Sequence, residues 1–116
     1  MERQIENLYI WKESRTLVNA IYNLMKNCKD WGFKDQIQRA AVSIMNNIAE
    51  GFDSGTDAKF INFLNIARGS CSEVNSMLYL CEDFQICTIE ERGDLQLQIK
   101  KISSGIIKLK NTLKEQ

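Results

Sequence analysis

The 116-residue sequence predicts an all-α fold, an antiparallel up-and-down four-helix bundle that forms one domain over residues 1–116. Three observations predict it. In four separate segments, apolar side chains recur at alternating intervals of three and four residues, which is the period of an amphipathic helix. The chain contains no proline, and no segment alternates apolar and polar residues as a strand does. Short breaks containing glycine and aspartate separate the segments, so consecutive helices are expected to run in opposite directions.

The first helix is predicted over residues 8–28, where two apolar stripes run side by side and place Trp11 and Tyr22 in the core. A break at residues 29–33 follows. It contains Trp31 and Phe33, for which two roles are open. Their rings cover the end of the bundle or a contact between subunits, or they stack on nucleic-acid bases.

The second helix is predicted over residues 35–51, and it carries very little charge. Between Gln36 and Glu50 the only charged side chains are Arg39 and Glu50 itself. A helix of this composition is mostly surrounded by protein. Its small residues are expected to let other helices approach closely.

The third helix is predicted over residues 57–84, with Phe60 in a sustained heptad seam that ends at Cys81. A second, partly apolar row runs beside that seam from Phe63 to Phe84. One neighbouring helix cannot cover both rows. The helix therefore either lies at the centre of the bundle or meets another subunit through its second row.

The fourth helix is predicted over residues 89–114, beginning with a capping box in which Thr88 and Glu91 satisfy each other's backbone amides. Gly105 interrupts good helix formers in its middle, at a cost of about 1 kcal/mol relative to alanine. We expect this glycine to mark either a close helix contact or a bend.

Two glutamates, Glu50 and Glu73, fall on rows that are otherwise expected to be buried. Buried carboxylates can act as general acids or bases, but they more often pair with a buried arginine. We therefore predict a structural polar network, and expect alanine at either glutamate to destabilise the fold or its assembly by a few kcal/mol. The predicted network comprises Arg39, Ser43, Asn47, Glu50, Arg68, Ser70 and Glu73.

The composition argues against most catalytic classes. The chain has no histidine, which excludes Ser-His-Asp triads, Cys-His pairs and histidine-containing metal sites. Its four cysteines lack C-x-x-C spacing, which favours reduced thiols in a cytoplasmic protein over a disulfide framework or a metal site. We predict no cofactor, no metal, no membrane contact and no enzymatic activity; an enzyme would need a solvent-open pocket beside Glu50 or Glu73.

The net charge is zero, but the charges are segregated along the chain. Residues 82–94 hold five carboxylates against one arginine, whereas residues 95–116 hold five lysines against one glutamate. A basic helix can contact phosphates, although such lysines often form only a solvated face. The predicted nucleic-acid contacts are Lys100, Lys101, Lys108, Lys110 and Lys114, followed by Lys12 and Arg15.

The second helix resembles the hallmark segment of the four-helix-bundle proteins of 23S rRNA intervening sequences, also called the S23 ribosomal protein family. It reads QIQRAAVSIMNNIAEG over residues 36–51. Residues 8–11 (LYIW) and 60–70 (FINFLNIARGS) resemble two further motifs of the family. Glu73 falls where the family usually carries a glutamate, and the resemblance covers nearly the whole chain.

The resemblance implies a homopentameric barrel of such bundles, encoded within bacterial rRNA genes or elsewhere in the genome. It also implies relatedness to the accessory protein of diversity-generating retroelements, which binds nucleic acid and a reverse transcriptase through a basic surface. Met45 stands where the family commonly has proline, so the second helix should be less kinked. Gln38 replaces a frequently basic residue, which weakens the implied basic surface.

Two functional hypotheses follow from these expectations. The first is a non-catalytic, oligomeric accessory protein that binds structured RNA or a ribonucleoprotein. The alternative is a structural, protein-interaction module with no nucleic-acid binding. The first predicts salt-sensitive RNA binding and the second predicts oligomerisation without it.

Overall fold

The part of the chain that the structure describes is all-α, with four α-helices. A computed structural model describes residues 4–114, and in that range no strand is present. A short 3-10 turn, Ile5–Asn7, precedes helices α1 (Tyr9–Leu24), α2 (Trp31–Phe52), α3 (Asp57–Asp83) and α4 (Ile89–Lys114).

The four helices pack side by side as a closed ring. Each helix contacts the one before and after it, α1 also contacts α4, and the α2–α3 contact is the most extensive. The molecule measures 46 × 22 × 21 Å, and a helix as long as α3 extends about 40 Å. The helices therefore lie along the long axis. Connections of four to six residues are too short to return the chain to its starting end, so consecutive helices run in opposite directions.

The core fills the centre of this ring and draws apolar side chains from all four helices. The predicted seams supply it, because burial of aliphatic side chains is the main favourable term in folding. Phe60 is buried as expected and Trp11 is half-buried, whereas Tyr22 is 47% exposed, so its predicted place in the core was wrong. The largest fully buried side chains include Leu17, Ile21, Met25, Ile37, Ile44, Ile48, Leu64, Leu78, Ile102 and Ile106.

The connection between α1 and α2 differs from the sequence-based prediction at both ends. The first helix ends at Leu24 rather than at residue 28, because the backbone tightens into turns in which Cys28 N–H donates to the Met25 carbonyl. The second begins at Trp31 rather than at residue 35. Asp30 is its N-cap, with a side-chain oxygen that accepts from Phe33 N–H at 3.2 Å.

Trp31 and Phe33 consequently lie in the first turn of α2 and not in a loop. The Phe33 ring packs edge-on against Phe84, with centroids 5.5 Å apart, and so joins the two connections at this end of the bundle. Trp31 remains 67% exposed, with the Lys34 ammonium 4.9 Å from its ring centroid.

The predicted start of α4 is confirmed. Thr88 N–H donates to the Glu91 carboxylate at 2.8 Å, and Glu91 N–H donates to the Thr88 hydroxyl at 3.1 Å. These two bonds satisfy two of the amides that the first turn of a helix leaves without partners.

Arg92 joins this first part of α4 to α3. Its guanidinium pairs with the Glu82 carboxylate and lies 4.7 Å from the centroid of the Tyr79 ring. It also donates to Gln96, whose amide in turn donates to the Asn75 carbonyl of α3 at 3.2 Å. These contacts hold α4 in register against α3, which fixes where the lysines of its second half point.

Gly105 marks a close helix contact and not a bend, since α4 continues through it without interruption. A Cβ atom at this position would lie 2.6 Å from Cγ2 of Ile10. The absent side chain therefore allows the start of α1 to approach α4. Similarly, α2 passes through Met45 without a break.

Candidate nucleic-acid interface

The charges of α4 are separated along its axis. Its acidic residues all lie in the first two turns, ending at Asp94, and all its lysines follow Leu95. The exposed lysines include Lys100, Lys101 and Lys108. These three line a groove of about 490 Å³, called the lysine groove below, together with Tyr9, Leu97, Ser104 and Gly105.

The sequence builds this groove from the core outwards. Ile99, Ile102 and Ile106 are buried against the rest of the bundle, so residues between them on the helix are directed towards solvent. Ile10 packs over Gly105 and thereby brings the adjacent Tyr9 to the edge of α4. Tyr9 and three lysines consequently line one surface depression.

The other predicted contact residues lie outside this groove. Lys110 is half-buried and Lys114 is exposed near the end of α4, while Lys12 is exposed on α1. The Arg15 guanidinium lies 5.8 Å from the centroid of the Trp11 ring. Of the five lysines predicted on α4, three therefore converge on one depression and two do not.

A second groove, also of about 490 Å³, runs between α3 and α4. Ser72 and Asn75 line it from α3 and Ser103 from α4. It shares Leu97 and Lys100 with the lysine groove. These two side chains thus separate the two grooves. A polymer that extends across α4 from one groove to the other would contact the apolar Leu97 side chain and the Lys100 cation.

The predicted polar network is only partly assembled. The Ser43 and Ser70 hydroxyls lie 2.9 Å apart, and the Asn47 amide donates to the Ser43 carbonyl at 2.8 Å. These contacts join α2 to α3. Glu73, by contrast, accepts a 3.3 Å hydrogen bond from Gln36 and makes no ion pair with Arg39 or Arg68.

The charged members of the predicted network lie at the surface of the single chain. Arg39 pairs with Asp35 at 2.9 Å, one turn earlier on α2. Glu50, Arg68 and Glu73 are exposed, so neither glutamate is buried by its own bundle, and burial in an assembly stays a prediction. These charged residues lie at the outer edge of the contact between α2 and α3. The short Ser43, Ser70 and Asn47 side chains fill that contact, and the longer charged side chains extend into solvent.

Replacing Glu50 or Glu73 by alanine is therefore expected to change the free energy of unfolding of the chain by less than about 0.5 kcal/mol. No buried charge is left behind, because both carboxylates already contact solvent. Urea unfolding of each variant measures this, with Glu90→Ala as a control at an exposed helical position. A loss of several kcal/mol at Glu50 or Glu73 alone would mean that the carboxylate is buried, either within the chain or at a contact between subunits.

The aromatic and the aliphatic residue of the lysine groove, Tyr9 and Leu97, were not predicted from the sequence. Tyr9 falls outside both apolar stripes of the first helix, and Leu97 falls outside the stripe of the fourth. Both are more than half exposed, at 52% and 57%. A large apolar residue outside the apolar stripe of its helix indicates an exposed apolar contact, and this was the sequence signal for both residues. Spacing along the chain does not show that Tyr9 and Leu97 lie together.

No helix among residues 4–114 combines the length and hydropathy that crossing a bilayer requires. Within the same range, no group of three or more carboxylate or cysteine side chains is placed to hold a metal ion.

Comparisons with known proteins identify the family. The family model for the 23S rRNA-intervening sequence protein matches residues 6–108, and no curated protein gives a significant match. The chain is similar to a Bacteroides thetaiotaomicron protein of unknown function from the S23 ribosomal protein family, whose crystal structure was determined at 1.70 Å. The two share 27% sequence identity over 87% of this chain and 97% of the other, with a TM-score of 0.80. This chain belongs to the 23S rRNA-intervening sequence protein family.

Proposed function

We propose that this protein is a non-catalytic, cytoplasmic accessory protein that binds structured RNA through the lysine groove and assembles as a homopentamer. The observation that carries the RNA-binding part is the convergence of Lys100, Lys101 and Lys108 around one depression. In the described structure, no carboxylate lines that depression. Ammonium groups without acidic neighbours are free to replace the counterions of a phosphate backbone.

The charge distribution supports this proposal despite a net charge of zero. From Leu95 to Lys114 the fourth helix contains lysines and no acidic residue, whereas its start is acidic. A surface of one sign attracts a polyanion locally even when the whole molecule is neutral. The acidic start of the helix would repel the same polyanion, so the charge gradient also orients it on the protein.

The triple variant Lys100→Ala/Lys101→Ala/Lys108→Ala tests the proposal. Loss of three phosphate contacts is expected to weaken binding of a structured ribosomal RNA fragment at least roughly a hundredfold at about 50 mM salt. Fluorescence anisotropy with labelled RNA measures the affinity. The matched control, Lys26→Ala/Lys29→Ala/Lys34→Ala, removes the same charge from the opposite end of the bundle and should retain most of the affinity. Equal losses in both variants would contradict a localised site.

An exposed apolar stripe supports the self-assembly part. Ile66, Leu80 and Phe84 belong to the second row of α3 and are between 41% and 54% exposed, whereas Met77 of the same row is buried. The bundle therefore covers only part of this row. If neighbouring copies bring these side chains together, they form the larger apolar patch that marks a protein–protein interface.

Light scattering tests the assembly. A pentamer of this 13.4 kDa chain has a mass of about 67 kDa, and closed rings of identical subunits are a common assembly. Replacing both Ile66 and Leu80 by aspartate should lower the mass to that of the monomer, whereas Ser76→Asp, at an exposed polar position of α3, should not. A monomeric mass for the unaltered protein would contradict the pentamer.

The same stripe favours a second candidate function, a protein-interaction module without RNA binding. In that case Ile66, Leu80 and Phe84 would contact a different protein. The lysines would form only a solvated face. The two candidates differ in one result, because only the first predicts that the three groove lysines affect RNA affinity.

A further inference from the structure

We infer that the lysine groove holds an unpaired nucleotide, with its base against Tyr9 and its flanking phosphates on the lysines. This inference rests on the proposed RNA binding and specifies which part of an RNA the site takes. The ligand is thus a loop, bulge or single-stranded end and not a continuous duplex.

The first support is the chemical composition of the groove. Tyr9 is 52% exposed and Leu97 is 57% exposed, so an aromatic and an aliphatic surface are both open to a planar ligand. Aromatic side chains stack on any unpaired base, because every base has a π-face. Lysines alone would serve a duplex equally well, but an exposed ring among them adds a contact that only an unstacked base can use.

The second support is the position of the ring. Tyr9 is the first residue of α1, and the contact of Ile10 with Gly105 fixes this end of the helix against α4. A Cβ atom at position 105 would lie 3.8 Å from Cδ2 and 3.9 Å from Cε2 of Tyr9. The ring edge is therefore positioned beside the groove floor before any ligand arrives, which lowers the entropy lost on binding.

The third support is size. A volume of about 490 Å³ is within the range of small-ligand sites, roughly 300–1,000 Å³, and matches one nucleotide with part of its backbone. A duplex cannot enter it, because an A-form helix keeps its bases stacked and its major groove is too narrow for side chains. The Ser104 hydroxyl at the groove wall supplies a hydrogen-bonding group for a base edge or a ribose hydroxyl.

Two labelled RNAs of identical stem test the inference with the full-length protein. One is a hairpin with an unpaired loop, and the other is the same stem closed as a blunt duplex. The hairpin is expected to bind about tenfold more tightly. Tyr9→Ala should lower hairpin affinity about tenfold, to the level of the duplex, and leave duplex affinity unchanged; Tyr9→Phe, which retains the ring, should behave as the unaltered protein.

A photocrosslink gives an independent readout. With 4-thiouridine in the loop, the peptide that contains Tyr9 is expected to carry the crosslinked nucleotide. Equal affinity for hairpin and duplex, or no effect of Tyr9→Ala on hairpin affinity, would overturn the inference. The proposed function would still be supported in that case if the triple lysine variant lost RNA affinity. Failure of the protein to bind either RNA would overturn both.

Discussion

Raising the pH from about 9 to about 11 is expected to unfold this protein, because two buried thiols remain protonated only in the folded state. Cys71 and Cys81 are 2% and 0% exposed. Burial raises the pKa of each thiol from 9.0 to about 12; nearby Arg68 opposes the shift at Cys71, whereas Cys87 and Cys28 add to it at Cys81.

The direction follows from where each state holds its protons. Below pH 9 both states are protonated and the thiols contribute their full share of stability. Between pH 9 and 12 the unfolded chain releases protons that the folded chain retains, so stability falls as the pH rises. In this window each thiol lowers the free energy of unfolding by about 1.4 kcal/mol per pH unit. The two thiols together lower it by about 5 kcal/mol by pH 11, which is comparable with the total stability of a small domain.

Urea unfolding at pH 8, 9.5 and 10.5 in the presence of a reductant measures this dependence. The control is the double variant Cys71→Ala/Cys81→Ala, which lacks both buried thiols and keeps every other side chain. We compare the change of stability with pH in each protein, and not its absolute value, since alanine leaves small cavities. Parallel pH profiles for the two proteins would contradict protonated, buried thiols as the cause.

Replacing Gly51 by valine is expected to cost about 3 kcal/mol of stability, at the upper end of typical overpacking penalties. A Cβ atom at this position would lie 2.7 Å from Cδ1 of Phe60 and 3.0 Å from Cβ of Phe63. Phe60 is buried and its ring packs edge-on against Phe52, so it cannot move aside without disturbing the core. The last turn of α2 and the first turns of α3 would separate.

Thermal unfolding followed by circular dichroism measures the effect, which should lower Tm by about 12 °C at roughly 4 °C per kcal/mol. Gly51→Ala should give a smaller loss, because alanine adds the clashing Cβ but regains helix propensity. Gly93→Val is the matched control: nothing lies within 4 Å of a Cβ there. If the Gly51→Val and Gly93→Val variants had the same Tm, close packing against Phe60 and Phe63 would not be the reason for a glycine at position 51.

The helices could be predicted from the sequence because one core fixes the period of every apolar stripe. Their ends were less predictable where a local cap competes with composition. Asp30 caps α2, so the helix begins at Trp31, four residues before the predicted start at residue 35. The hydrogen bond from Phe33 N–H to the Asp30 side chain fixes that start. Gly51 likewise resembles a turn residue in the sequence, yet it lies inside α2 and serves the contact with Phe60 and Phe63.

The candidate site was predictable in its charges but not in its shape. The spacing of Lys100, Lys101 and Lys108 follows from the helical period of α4. The placement of Tyr9 depends on a contact between residues almost a hundred positions apart, Ile10 and Gly105, which no local pattern encodes. For the same reason Glu50 and Glu73 were assigned to the interior: periodicity assigns a residue to a row, but only the packed bundle decides whether that row faces protein or water.

The salt dependence of RNA affinity tests the central claim, that the three groove lysines bind phosphates. A labelled structured ribosomal RNA fragment is titrated with protein at about 50 and about 200 mM salt. Three phosphate contacts alone predict a roughly twentyfold to fortyfold weaker affinity at the higher concentration, and the triple lysine variant should lose most of this dependence. Absence of binding at the lower salt, or the same salt dependence in both proteins, would contradict the claim.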